Sequence, residues 1–471
     1  MNNKLPKLFL LISLFFGTIL LFIVPSFNSP DEDSHFLYVY EISELNFIPK
    51  VKNERSGFSV PNSILNSIKE TKAITESRDN KYKYSQMYYN QLLTQNYNKK
   101  SFSNAVIQSV PKLAYLAPTL GVWMAKPIRL YSGFDKISVH VMLQFARFMS
   151  LLIYSIIGYF AIKITPKFKK TFFMVLLLPM AVFLRSMVTY DGILLVVIAL
   201  SIANILKLID KKSKFTKKDL CLFVITGFIL LNVKVLYSIV FFGLFAIPNE
   251  VFDGKKNKIK QIIKICIFII LLTILQKFPY LFVKSESDSR MSEQINFILS
   301  QPIKYLKILI VNIFSEIRIQ EYWMLGTFGY LDTYMPVLYI YILKVYLIII
   351  FMTDIIYEKI ILPLWLKIGY ILLIIFDICG MYTMMYLNWT PIVTGEIGGS
   401  DITGVQGRYY LPFLFLVPIV FNTNLFDKLI NKEKISPYTH RFKNIIDNNF
   451  HYITIISLVI MCIIIFMRYY C

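Results

Sequence analysis

The segment Ser29-Pro30-Asp31-Glu32-Asp33-Ser34-His35 gathers three carboxylates and an imidazole directly after an apolar run. Such a group at a membrane edge can act as a general base or hold a cation. A solvated acidic cap after a helix accounts for it equally. A second polar cluster, Arg185-Ser186-Met187-Val188-Thr189-Tyr190-Asp191-Gly192, sets an ionisable pair inside an apolar stretch. That is costly unless the pair lies at an interface or faces a polar cavity, although a plain hairpin turn also fits Asp191-Gly192. In Asn232-Val233-Lys234-Val235-Leu236-Tyr237 a lone lysine interrupts a long apolar run; it either snorkels to the surface or binds an anion. Arg147, within Gln144-Phe145-Ala146-Arg147, is similarly placed and needs a partner. Last comes Gly404-Val405-Gln406-Gly407-Arg408-Tyr409-Tyr410-Leu411-Pro412. There an arginine flanked by glycines offers a planar fork and nearby main-chain N–H groups to a phosphate, while interfacial anchoring by Arg and Tyr is the plainer reading.

The elements that must position these residues are apolar helices. Of 471 residues 56% are hydrophobic and only 17% charged, with mean hydropathy +0.56, more apolar surface than a soluble domain can hide. The 16% aromatic content suits a chain with many water–lipid boundaries. The formal charge of +21 does not point to nucleic acid, because the lysines cluster in short connectors between apolar runs, as cytoplasmic loops do. Five scattered cysteines and four dispersed histidines form no CxxC, zinc or haem pattern. The carboxylates permit a divalent metal but do not demand one.

Apolar runs at 8–24, 140–163, 172–187, 190–209, 219–232, 235–248, 260–277, 335–353, 361–380, 408–422 and 450–468 predict an all-α polytopic protein of about eleven spans. Lys4 and Lys7 before the first run, with no cleavage site after it, make it an uncleaved span with a cytoplasmic N-terminus. Residues 1–471 then form one integral membrane domain. It comprises a long first external loop with juxtamembrane helices over 25–139, a helical core over 140–422, and a cytoplasmic basic loop with the last span over 423–471. The segment at 278–334 reads as an external loop. Basic connectors at 163–170, 207–218, 255–264 and 428–443 share the inner side, so Asp31, Glu32, His35, Tyr190, Asp191, Lys234 and Arg408 share the outer one. Heavy use of Ile, Lys and Asn points to an AT-rich bacterial source, hence a bacterial plasma membrane.

Several of these motifs resemble a family of bacterial membrane proteins of unknown function allied to the C-type (GT-C) glycosyltransferases. They are Pro30-Asp31-Glu32 with His35, Tyr115-Leu116-Ala117-Pro118, Pro179-Met180 with Thr189-Tyr190-Asp191, Lys234-Val235-Leu236-Tyr237, Gly326-Thr327-Phe328-Gly329-Tyr330-Leu331-Asp332, and Gln406-Gly407-Arg408-Tyr409-Tyr410-Leu411-Pro412. The resemblance implies transfer of a sugar from a polyprenyl-phosphate donor, at the external face, to a cell-envelope polysaccharide or similar acceptor. It implies that Asp31, Glu32 and Asp191 are catalytic. Arg408, Lys234 and Arg147 are then the cations suited to the donor phosphate, supported by His35, Tyr190, Tyr237, Gln406 and Tyr409. A transporter or flippase of lipid-linked precursors is the alternative; a non-catalytic assembly partner is a third reading.

Overall fold

The computed structural model describes residues 4–52, 55–72, 77–82, 99–104, 110–127, 138–282, 289–423 and 436–471. Parts of the first external loop, 83–98 among them, and the first part of the 428–443 connector lie outside them. Among the described residues, seven helices are long and apolar enough to cross a bilayer: Leu5–Ile23, Val139–Ile164, Tyr190–Lys211, Lys255–Tyr280, Val337–Tyr357, Leu364–Thr394 and Arg441–Tyr470. An eighth is counted if Arg290–Ser300 and Pro302–Gly326, bent by 105°, form one span.

Seven of the eleven expected spans thus have a helix of that length among the described residues; the reasons the others do not are local. The run at 172–187 is cut into Lys169–Leu176 and Pro179–Ser186, because a proline lacks an N–H and forces Leu178 out of the helical region, to ψ 139°. The helix Lys217–Val233 is capped by a reciprocal Thr216–Asp219 box but has only 17 residues. The run after Lys234 is a 3₁₀ helix, Val235–Ala246, and Gly407–Phe415, with Pro412 inside it, is another. The supposed loop at 278–334 contains the 25-residue Pro302–Gly326 helix. Leu116–Ala125, expected not to cross, has 10 residues, half of what a bilayer needs.

The first long connection holds more than helices. Glu32–Ser43 and Asn62–Lys72 accompany a three-stranded antiparallel sheet, Lys50–Lys52, Arg55–Pro61 and Lys100–Ser103, which pairs in sequence order with Phe58 opposite Ser103. A second small hairpin pairs Thr327–Phe328 with Thr333–Tyr334.

Contacts define two opposite ends. At one, Lys170 donates to Asp447 (2.8 Å) and lies 3.5 Å from Asp354, Lys207 donates to Asp219 (2.9 Å), and Lys214 pairs with Asp253. These contacts involve the 163–170 and 207–218 connectors themselves and Asp253 and Asp447, which flank the 255–264 and 428–443 connectors. At the other, Arg147, near the start of its helix, reaches the carbonyls of Val24 and Pro25 just past the first helix. Near the C-terminus, Arg468 pairs with Asp332 (2.7 Å) of the second hairpin. The unusual polar residues lie at this second end.

Candidate functional site

Asp31 and Glu32 are adjacent in sequence yet face different surroundings. Asp31 caps the Glu32–Ser43 helix with a left-handed backbone (φ 61°), a conformation that aspartate and asparagine tolerate better than most residues. Its carbonyl accepts the first helical bond, from His35 N–H (3.0 Å), and its side chain is about half exposed (51%). Glu32 turns inward and is wholly buried. Arg147 grips it with two parallel bonds, Nε to Oε1 (2.8 Å) and Nη2 to Oε2 (2.5 Å), and the Val188 N–H adds a third at 3.0 Å. Arg147 spends its other donors on the Val24 and Pro25 carbonyls at 2.8 and 2.9 Å. Every strong group in this clasp is satisfied within the protein, which is what a buried ion pair requires. It ties the first helix, the Glu32 turn, the Val139–Ile164 helix and the Val188 strand-like link into one joint.

Asp191 opens the Tyr190–Lys211 helix, where the helix N-terminus favours a carboxylate, and it is buried. Two cations converge on it from distant parts of the chain. Lys234 Nζ donates to Oδ1 at 3.2 Å, and Arg408 Nε lies 3.0 Å from Oδ2, an ion pair by distance without the angle of a hydrogen bond. Arg408 extends Nη2 to Asp31 Oδ2 at 3.1 Å. The result is a chain Lys234–Asp191–Arg408–Asp31, buried at Asp191 and half exposed at Asp31.

Aromatic rings frame this chain. Lys234 Nζ stands 3.5 Å from the centre of the Tyr409 ring and 5.2 Å from that of Tyr190, close enough for cation–π attraction. The Tyr237 hydroxyl donates to the Tyr409 carbonyl at 2.9 Å, joining the two 3₁₀ segments. His35 bonds through Nδ1 to the Tyr115 hydroxyl and meets the Tyr190 ring edge-on at 4.7 Å. Burial pushes its imidazole down to about 3, with Asp191 opposing and Arg408 and Lys234 adding to the shift. His35 is therefore neutral at physiological pH. Its depressed value leaves native stability untouched above the ordinary histidine value and lowers it progressively as pH falls below that value towards about 3, because there only the unfolded state binds the proton.

Gly407 has a steric reason to be glycine. Any Cβ there would overlap the main chain of Gln320, Trp323 and Met324, on the Pro302–Gly326 helix. Only a bare backbone lets the Gln406–Gly407–Arg408 turn lie flat on that helix and hold Arg408 over Asp191.

Of the residues singled out in the sequence, Asp31, His35, Tyr190, Asp191, Lys234, Tyr237, Arg408 and Tyr409 come together. Gln406 is beside them. Glu32 and Arg147 pair with each other instead. Tyr115 was visible in a motif without a role, and its bond to His35 supplies one. Among the described residues no group of three His, Cys, Asp or Glu side chains is placed to hold a metal. Asp31 and Asp191 are neutralised by arginine and lysine, a donor set that does not fit a divalent ion.

A family model described as "Predicted membrane protein (DUF2142)" matches residues 14–417, nearly the whole chain. No curated protein and no solved structure matches.

Proposed function

The chain belongs to the DUF2142 family of predicted membrane proteins, and from that premise we propose that it is a membrane glycosyltransferase using a polyprenyl-phosphate-linked sugar at the external face. One observation carries the reading. A half-exposed carboxylate, Asp31, is paired to an arginine whose other side is fixed, with a lysine, on a buried aspartate.

In this reading the donor phosphate displaces Asp31 from Arg408 and takes its place on the exposed side of that arginine, with Lys234 adding positive charge from beyond Asp191. Asp191 is a positioning residue that holds both cations while the phosphate comes and goes. Asp31, released, accepts the proton of the acceptor hydroxyl. The acceptor oxygen forms the new bond to the sugar's anomeric carbon as the bond to the phosphate oxygen breaks. The leaving polyprenyl phosphate gains negative charge, which the fixed cations stabilise. Tyr190, Tyr237 and Tyr409 keep Lys234 aimed, and His35, neutral, supports Tyr190 without adding charge.

Arg408→Ala and Lys234→Ala are expected to weaken binding of undecaprenyl phosphate roughly 10- to 100-fold each, the worth of a charge-assisted hydrogen bond. Unchanged affinity in both would remove their phosphate role. The sidedness rests on the basic connectors gathering at the opposite end. After Cys471→Ser removes the exposed terminal thiol, a membrane-impermeant maleimide applied to intact cells should label Glu396→Cys and spare Lys214→Cys. Labelling of the latter overturns the orientation.

A flippase is the second reading, and two buried charges favour it. Among the described residues, Asp377, in the middle of the Leu364–Asn388 helix, has both carboxylate oxygens without a hydrogen-bond partner. Arg185 is wholly buried; among the described residues it donates only to Ser13 Oγ (3.1 Å), and it lies over the Phe9 ring at 5.4 Å. Unpaired intramembrane charges of this kind mark transport pathways. A flippase moves the loaded lipid across a vesicle bilayer without consuming it, whereas the transferase converts it to bare polyprenyl phosphate.

A further inference from the structure

The first external connection carries a finger that the chemistry above does not use. It runs from Glu44 to Lys52, just past the Glu32–Ser43 helix, and apart from Pro49 it is exposed throughout. Leu45, Phe47, Ile48 and Val51 are its apolar members, and Lys50 and Lys52 its basic ones. Leu45 is 64% exposed and Ile48 56%. The backbone adds a second oddity. Leu45 leaves the helix at φ 60°, a left-handed conformation that glycine or asparagine adopts at lower cost. A bulky residue that is both strained and exposed gains nothing from the protein's own core. Such outliers gather where a segment meets a ligand or a surface.

The neighbours of the finger identify that surface. Lys112 Nζ stands 5.3 Å from the centre of the Phe47 ring and 5.5 Å from that of Tyr280. Tyr280 is the last residue of the Lys255–Tyr280 span, and its hydroxyl lies 3.2 Å from that of Tyr38 on the Glu32–Ser43 helix. Within Lys255–Lys277 only Ile265 is buried, so lipid must cover that span. The finger therefore sits where a lipid-clad helix leaves the hydrocarbon, the level that tyrosine favours. Charge agrees with this placement. Glu44, at the base, is paired with Lys126 at 2.8 Å, whereas among the described residues no carboxylate pairs with Lys50, Lys52 or Lys112. Water would leave the four apolar side chains uncovered. A bilayer covers them and offers anionic headgroups to the lysines.

We propose that this finger is an interfacial anchor that enters the adjoining leaflet, with Leu45, Phe47, Ile48 and Val51 against the acyl chains and Lys50 and Lys52 on the phosphates of anionic phospholipid. The anchor stands whether or not the protein is a transferase. The Glu32–Ser43 helix carries the finger at its C-terminal end and Asp31 at its N-terminal end, so anchoring one end holds the other at the bilayer boundary.

The test uses the full chain, its five cysteines replaced by alanine, in nanodiscs of phosphatidylcholine alone or mixed with phosphatidylglycerol. Ile48→Cys carries an environment-sensitive NBD label, and Val51→Cys repeats the measurement should the first variant fail to fold. Glu396→Cys is the solvent reference: it is exposed and lies past the 31-residue Leu364–Thr394 helix, which is longer than the hydrocarbon core is thick. In mixed nanodiscs the finger label is expected to emit to the blue of the reference. Lipids spin-labelled near the headgroup should quench most of its emission and leave the reference unquenched. Quenching should be weaker in phosphatidylcholine alone, and Lys50→Gln with Lys52→Gln should lower the mixed-lipid value to that level. A finger label quenched no more than the reference overturns the anchor. So does a blue-shifted label that lipid does not quench, because a protein, a second copy of this chain or another, then covers the finger. Equal quenching in the two nanodiscs overturns the part given to anionic phospholipid.

Discussion

Asp31→Asn leaves the protein inserted and folded and lowers sugar transfer by roughly 10²- to 10⁴-fold, the usual contribution of a positioned general base. The folded state tolerates the change for two reasons. Asparagine occupies the left-handed backbone at φ 61° as readily as aspartate does, so the turn into the Glu32–Ser43 helix is kept. The ion pair that is lost has a half-exposed member, and pairs of that kind contribute only about 0–1 kcal/mol. Bare-lipid affinity should hold or rise, because the phosphate no longer competes with a carboxylate for Arg408. Transfer is read as release of bare polyprenyl phosphate from the loaded lipid in the presence of an envelope acceptor. A variant with full turnover would sink Asp31 as the base.

The next residue gives the opposite result. Glu32→Gln or Arg147→Ala removes one side of a wholly buried, fully bonded pair and leaves the other charge stranded, a loss of about 3–5 kcal/mol. The expected readout is a large fall in melting temperature in detergent, or failure to accumulate in the membrane, with transfer lost as a consequence. Glu32→Gln combined with Arg147→Met should recover part of the stability, since no charge is then left unpaired. If Glu32→Gln instead melts like wild type and is inactive, Glu32 takes back the role of base.

These two predictions mark where the sequence could be read and where it could not. Asp31 and Glu32 are equivalent as letters in Pro-Asp-Glu. What separates them is a single helical start that points one side chain outward and the next into the bundle. Arg147 was legible as a cation needing a partner, but the partner lies 115 positions earlier in the chain, and only the antiparallel packing of the first helix on the Val139–Ile164 helix brings them together. The gathering of Asp191, Lys234 and Arg408 was foreseeable as a shared end of the molecule, because loop charge sorts the connectors. Their contact order was not, nor was the Pro302–Gly326 helix on which the Gln406–Gly407–Arg408 turn lies. That helix was hidden because Lys304, Lys307, Glu316, Arg318 and Glu321 dilute the apolar signal of a segment that was taken for a loop. Proline decided other errors: the 172–187 and 408–422 runs are apolar enough to look like spans, but Pro179 and Pro412 forbid an uninterrupted α-helix.

The 3₁₀ winding has a mechanical side. A 3₁₀ helix rises about 2.0 Å per residue, against 1.5 Å for an α-helix. The 12 residues from Val235 to Ala246 therefore extend about 24 Å where α-winding would give about 18 Å. Such long 3₁₀ runs are uncommon, and this one is braced from outside by the Tyr370 hydroxyl on the Val240 carbonyl (3.0 Å). Lys234 is attached to the start of that segment and Arg408 lies near the start of Gly407–Phe415, so each of these two cations is mounted on an overstretched spring. Rewinding either spring by a single turn would draw its cation toward the opposite end of the bundle by about 1.5–2 Å, a stroke that a protein built only from relaxed α-helices would have to obtain by moving whole helices.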